Sequence, residues 1–282
     1  MTDAFYNCKC HLLRLLCVFI VNRFKTPRRE NGNHAGQGDC FDSSRCFHDL
    51  ETGGGILALC LALLLPVNRA GAVEAGYTVF HGSRDDSRIA ITVDDCYDAA
   101  HVTEVLDLCE AYDIPVTFFV IGSALKQDDS AVWQRALSMG CEIGNHTWDH
   151  PRLPELNGSR IISQLDRTEE KLDRVLGWHY EMQVMRPPYG SLSTDPAKKS
   201  DIRVVEAIEK AGYLHAVRWD VSQTNPDQAI KDVQNGSILL YHANAKDVRC
   251  LTQLIPDLLA AGYEPVTVSA LLGLEPPTAA EE

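Results

Sequence analysis

The stretch RIAITVDDCYDAAHVTEVLDLCEAYDIPVTFFVI, residues 88–121, decides the fold. It opens on Arg88–Val93, a short apolar run rich in β-branched residues, the composition of a buried strand. From Ala99 to Tyr112 the apolar positions Val102, Val105, Leu106 and Cys109 change to helical spacing. Pro115 separates that helix from Val116–Ile121, a second buried-type strand. Strand, helix, strand is one βαβ unit with parallel strands.

The same alternation runs on to the end of the chain. Glu142–Gly144, Val184–Arg186, Leu214–Arg218, Ser237–Tyr241 and Glu264–Val268 read as further short strands. Helices are expected near Ser130–Met139, Ser159–Leu176, Asp201–Ala211, Asp227–Gln234 and Val248–Ala261. Seven apolar strands separated by helices imply a parallel sheet, either a barrel or a doubly wound sheet. In both, reactive groups belong at the C-terminal ends of the strands.

The first third reads differently. Residues 11–21 are apolar but too short to span a bilayer, Asn22–Gly55 lacks periodicity, and 1–55 is expected to be unstructured or an over-extended reading frame. Residues 56–73 begin with ILALCLALLLPV and run into Asn68-Arg69-Ala70-Gly71-Ala72, as in a secretory signal or a hydrophobic anchor. A single catalytic domain is expected over 74–282, exported and either secreted or associated with the cell envelope. Of the ten cysteines, six lie in the first sixty residues. Cys109 and Cys141, among apolar neighbours, read as small buried side chains rather than a disulfide.

The net charge is −13, and the first fifty residues are themselves net basic, so the acidity belongs to the folded part. Such a surface repels phosphate backbones, which excludes a nucleic-acid partner held by general electrostatics. A monomer acting on a neutral or cationic substrate is expected.

Asp94 and Asp95 end the first strand. Adjacent strand residues point opposite ways, so the two carboxylates suit different tasks, one on a metal and one as a base. A plain turn opening the next helix, with Asp98 as its N-cap, is the competing reading. His146 and His150 follow the strand at Glu142–Gly144, and their four-residue spacing puts both imidazoles on one side of a helical turn. Two His and one carboxylate leave open positions, the composition of a catalytic rather than a structural metal site. Arg186-Pro187-Pro188-Tyr189-Gly190 fixes an unusual backbone path after another strand, and Trp219, Asn225 and His242 fall after two more.

In order, Thr92-Val93-Asp94-Asp95, His146-Thr147-x-x-His150, Arg186-Pro187-Pro188-Tyr189 and Leu240-Tyr241-His242 resemble the motifs of the polysaccharide deacetylase group, also known as the NodB-homology or carbohydrate esterase family 4 group. Pro115-Val116-Thr117-Phe118-Phe119 and Gly262-Tyr263-Glu264-Pro265-Val266 extend the likeness over roughly residues 87–272. The resemblance implies an α/β fold, a distorted, incomplete (β/α) barrel of about seven parallel strands. It implies Asp95, His146 and His150 as ligands of a divalent ion, zinc first, with cobalt, nickel and manganese also fitting that set. Asp94 matches the general base, Arg186 the residue that holds it, Tyr189 the backbone donor to an oxyanion, and His242 the general acid. Leu240, Pro188 and Trp219 would line the substrate pocket. The activity implied is removal of N-acetyl or O-acetyl groups from a polysaccharide. A non-catalytic carbohydrate-binding protein on the same scaffold, or a hydrolase of small amides, are the alternatives.

Two positions depart from the family pattern. Cys96 stands where glycine usually follows the Asp pair, and Asn225-Pro226 stands where Asp-Trp is usual. With Asn225 in the place of the carboxylate that orients the acid, His242 is expected to hold its proton less tightly than in relatives. Asp220 is the next candidate partner.

Overall fold

The computed structural model describes residues 77–85, 87–192 and 199–274, which belong to one compact unit. The segments expected at 1–55 and 56–73 lie outside the described residues. No helix among the described residues is long and apolar enough to cross a membrane.

The elements in order are β1 (Thr78–Val79), β2 (Arg88–Asp95), α1 (Ala99–Tyr112), β3 (Thr117–Val120), α2 (Ser130–Ser138), β4 (Glu142–Asn145), α3 (Gly158–Leu176), α4 (Lys199–Lys210), β5 (Ala216–Val217), α5 (Pro226–Asp232), β6 (Ile238–His242), α6 (Ala245–Ala260), β7 (Glu264–Pro265) and α7 (Val268–Leu272). Every ladder between these strands is parallel. β2 is central, with β3 on one side and β6 on the other, and β4 continues beyond β3. From β4 round to β6 only single residues bridge, Asn145 to Met185, Met185 to Ala216 and Val221 to Leu239. The result is a distorted, incomplete barrel.

Local chemistry explains why some expected strands shrink. Val184–Arg186 pairs only at Met185, because Pro187 and Pro188 beyond it have no N–H to donate to a ladder. The strand expected at Glu264–Val268 ends at Pro265, and Thr267 caps α7 by accepting from the Ala270 N–H. β1, two residues long, carries no periodic signal.

α7 seals the end of the sheet away from the reactive groups. Its Val268 and Leu271 pack against Ala90, Phe119, Val184, Val217 and Ile238. Glu142, buried at the start of β4, accepts from the Thr117 hydroxyl at 2.8 Å, the Ser269 N–H at 3.2 Å and the Ser269 hydroxyl, tying the first turn of α7 to β3 and β4. Those bonds meet the acceptor demand that a buried carboxylate carries. At the other end the register sets Asp94 opposite Phe119 and His242, and Val120 opposite Asn145. The C-terminal ends of β2, β3, β4 and β6 therefore meet at one rim, as the position rule for such sheets requires.

Candidate active site

Asp95, His146 and His150 come together at this rim, with one ligand atom from each within 4.8 Å of the others. The Asp95 Oδ1 lies 3.6 Å from Nε2 of each histidine, beyond hydrogen-bonding distance, and it is buried with no hydrogen-bond partner. Donors about 2.0–2.1 Å from a tetrahedral ion sit roughly 3.3 Å from one another, so the two separations from Asp95 are close to what such an ion requires. His146 is buried, and its Nδ1 donates to the Arg186 carbonyl at 2.8 Å, which leaves Nε2 as the free lone pair. Burial, and then the neighbouring His150, hold its proton affinity well below the usual imidazole range, so it stays neutral and ready to ligate.

The histidines are not on a helical turn. Residues 146–150 form a loop in which Thr147 (φ 70°) and His150 (φ 60°) both take the left-handed conformation. Hydrogen bonds from neighbouring side chains offset the cost of that path. Asn145 Oδ1 accepts from the Thr147 N–H at 2.8 Å, and Gln164 Oε1 accepts from Trp148 and Asp149 N–H at 2.9 and 3.1 Å. The Asn145 amide donates to the Leu165 carbonyl and, at 2.7 Å, to the Tyr213 hydroxyl, which in turn donates to Glu169. Asn145 also takes the Arg186 N–H on its backbone carbonyl, so one residue positions both the histidine loop and the arginine.

Arg186 is fully buried and spends its donors nearby: Nη1 on Asp94 Oδ1 at 2.5 Å and on the Thr92 hydroxyl at 2.7 Å, Nη2 on the Arg218 carbonyl at 3.1 Å. Its guanidinium lies 4.2 Å above the Phe119 ring. Gly144 makes room for that ring, because a Cβ there would stand 2.7 Å from a Phe119 ring carbon. Burial raises the Asp94 carboxyl above the ordinary carboxylate range, while Arg186 and then His242 pull it back. A carboxylate so placed is charged by its arginine yet retains appetite for a proton, as a general base requires.

His242 ends β6, and its partner is not the one expected. Its Nδ1 and its backbone N–H both meet Asp247 Oδ2, at 3.2 and 2.8 Å. Asn225 is exposed and caps α5, accepting from the Gln228 N–H at 3.1 Å. Pro226 at the first helical position makes a cap of the residue before it, which is why the amide is spent there. Asp220 pairs with Arg84 at 2.7 Å and accepts from the Ile238 N–H. The expected loosening of the His242 proton is thus overturned: the hydrogen bond to Asp247 raises its proton affinity above the usual imidazole range, against the effect of burial.

Tyr189, at φ 59°, follows the two prolines, and the next two N–H groups turn back onto the Pro187 and Pro188 carbonyls. Its ring is 56% exposed and packs against His150 with centroids 4.4 Å apart, while the Arg152 guanidinium covers it at 4.4 Å. Pro188 and Leu240 are buried beside the rim, and Trp219 is half-buried with Arg186 and Arg218 over its ring. Asp95 and Cys96 share the left-handed turn after β2 (φ 69° and 57°), so Cys96 occupies a conformation that glycine takes at lower cost. Tyr97 beyond it is 56% exposed. Asp247, Asn145, Gln164 and Arg152 had no sequence motif to mark them; a carboxylate five residues after His242 was the one available cue.

A family model described as polysaccharide deacetylase matches residues 81–214. A peptidoglycan-N-acetylglucosamine deacetylase of Bacillus cereus is 30% identical over 212 residues, 70% of this chain and 93% of that protein. A bifunctional xylanase/deacetylase of Pseudobutyrivibrio xylanivorans is 30% identical over 76% of this chain, which spans only 35% of that protein's length. Among solved structures, a peptidoglycan N-acetylglucosamine deacetylase superposes with a TM-score of 0.60 at 26% identity, over 70% of this chain and 92% of that one. A pseudoenzyme of the same family from Bacillus anthracis shares the fold, with a TM-score of 0.59 at 20% identity over 69% of this chain and 68% of that one. With a relative matched over nearly its whole length and the motif residues gathered at one rim of the same parallel fold, the chain belongs to the polysaccharide deacetylase family.

Proposed function

We propose that this chain is a metal-dependent hydrolase that removes N-acetyl groups from a cell-wall or extracellular polysaccharide and works outside the cytoplasm. The observation that carries the reading is the orphaned, buried Asp95 oxygen facing two histidines, beside a separate carboxylate held by a buried arginine. Asp95, His146 and His150 would hold a divalent ion, zinc by its donor set, which when bound supplies Lewis-acid polarisation of the acetyl carbonyl and acidifies water.

The chain's own residues supply the rest. Asp94 accepts a proton from the attacking water, and Arg186 fixes the carboxylate for that transfer. The Tyr189 N–H, first after the prolines, is the donor for charge developing on the acetyl oxygen. His242, its proton retained by Asp247, hands that proton to the sugar nitrogen as the C–N bond breaks, leaving acetate and a free amine. Leu240, Pro188 and Trp219 form the apolar wall for the acetyl methyl. Asp247 restores the charge that Asn225 lacks, which removes the main argument for a non-catalytic scaffold.

The test is acetate release from chitin-type oligosaccharide, peptidoglycan, poly-N-acetylglucosamine and acetylated xylan, with and without chelator. Release from at least one N-acetylated polymer, abolished by chelation, is expected. No acetate from any of them with metal-loaded protein would overturn the proposal.

A further inference from the structure

Arg152 has no place in the chemistry above. It is exposed and, among the described residues, its side chain makes no hydrogen bond or ion pair. Its guanidinium stacks on the face of Tyr189, 4.4 Å from the ring centroid, and that ring lies 4.4 Å from the ring of the metal-site residue His150. The backbone beneath it is fixed, since its carbonyl accepts from the Glu155 N–H at 3.0 Å and the next side chain, Leu153, is fully buried. An unpaired guanidinium is thus stacked on the aromatic edge of the site with its N–H edges free.

The surroundings make that cation unusual. The chain carries a net charge of −13, the rim holds Asp94, Asp95 and Asp247, and the charge of Arg186 is committed to Asp94. A neutral sugar gives a free guanidinium nothing to neutralise. A carboxylate does, because its two oxygens match the planar fork of an arginine.

We infer that Arg152, braced on Tyr189, forms a subsite for a carboxylate carried by the N-acetylated glycan. The substrate class is therefore an N-acetyl sugar polymer bearing an acid, as an ether-linked lactate or a neighbouring uronic acid supplies, rather than a wholly neutral polymer. The inference rests on the deacetylase reading and refines its substrate. The pair would be exposed, so it tunes recognition modestly and weakens in salt.

Three substrates separate the sources: peptidoglycan glycan strands with muramic acid carboxyls free, the same strands methyl-esterified, and an oligosaccharide alternating N-acetylglucosamine with a uronic acid. Turnover and equilibrium binding are measured on metal-loaded wild type, Arg152→Gln and Arg152→Lys. For at least one acid substrate, Arg152→Gln should raise KM about three- to tenfold with kcat little changed. Arg152→Lys should fall between, and the ester should not respond to either variant. The acid substrate that responds identifies the source. Equal behaviour of free acid and ester in wild type, or equal loss on both in Arg152→Gln, would overturn the subsite while leaving the hydrolase intact. Binding that depends on both the carboxylate and Arg152, with no acetate released from any substrate, would uphold the subsite and sink the hydrolase instead.

Discussion

Replacing Asp247 with asparagine removes a charge from His242 while keeping an oxygen to accept from the His242 backbone N–H. In the native protein Asp247 Oδ2 lies 3.2 Å from Nδ1, a distance at which full charges attract by about 5 kcal/mol at an effective dielectric constant of 20. The His242 side chain is 42% exposed, however, so solvent screens most of that and about 1 kcal/mol is a sounder figure. One kcal/mol is roughly a fivefold change in the protonated fraction. The proton affinity of His242 is raised by this partner, so the acid form, and with it the rate, is lost as pH climbs through that raised value. In Asp247→Asn the alkaline limb of kcat/KM should begin at lower pH, with a rate about fivefold below wild type above the limb and the same plateau below it. Asn225→Ala should not move the limb. The assay is acetate release across a pH series at constant ionic strength. An unmoved limb in Asp247→Asn, with His242→Ala inactive, would refute the assignment of Asp247 as the partner.

Three further outcomes follow from the geometry. His146→Ala should bind metal poorly by elemental analysis, whereas Asp94→Asn should retain it and lose about 10²- to 10⁴-fold in kcat; metal lost from Asp94→Asn and kept in Asp95→Asn would reverse the two carboxylates. Asn145→Ala leaves the Thr147 N–H, the Leu165 carbonyl and the Tyr213 hydroxyl short of a buried partner, so unfolding should show about 3 kcal/mol of destabilisation together with weaker metal binding by calorimetry. Gly144→Ala drives a Cβ into the Phe119 ring beneath Arg186 and should cost about 1–3 kcal/mol in denaturant unfolding, with kcat reduced through a displaced Arg186.

The parts of this molecule that the sequence makes legible are those governed by period. β2, α1 and β3 appear almost residue for residue, because burial on a strand and on a helix leaves different spacings. The rim residues Asp94, Asp95, His146, His150, Arg186 and His242 are visible because each lies at or just beyond the end of a run that reads as a strand. Spacing alone misread the histidine pair, since four residues suggest a helical turn but Thr147 and His150 are held left-handed by Asn145 and Gln164, one at the loop's base and the other sixteen residues after Trp148. The Asn225 expectation failed for a related reason. A position in a motif says nothing about which hydrogen bond a side chain makes, and a proline at the start of α5 drew the amide into a cap. Asp247 took the vacant role from the first turn of α6, a contact that no periodicity encodes.

On the proposed mechanism Asp95, His146 and His150 hold one divalent ion on which hydrolysis depends. Zinc titrated into metal-stripped protein, with acetate release followed on the N-acetylated polymer that the substrate panel selects, tests it most directly. No release is expected at the start, then a rise that saturates at about one equivalent per chain, with no such rise at that stoichiometry for His146→Ala. Full activity in protein verified to be free of metal would contradict it.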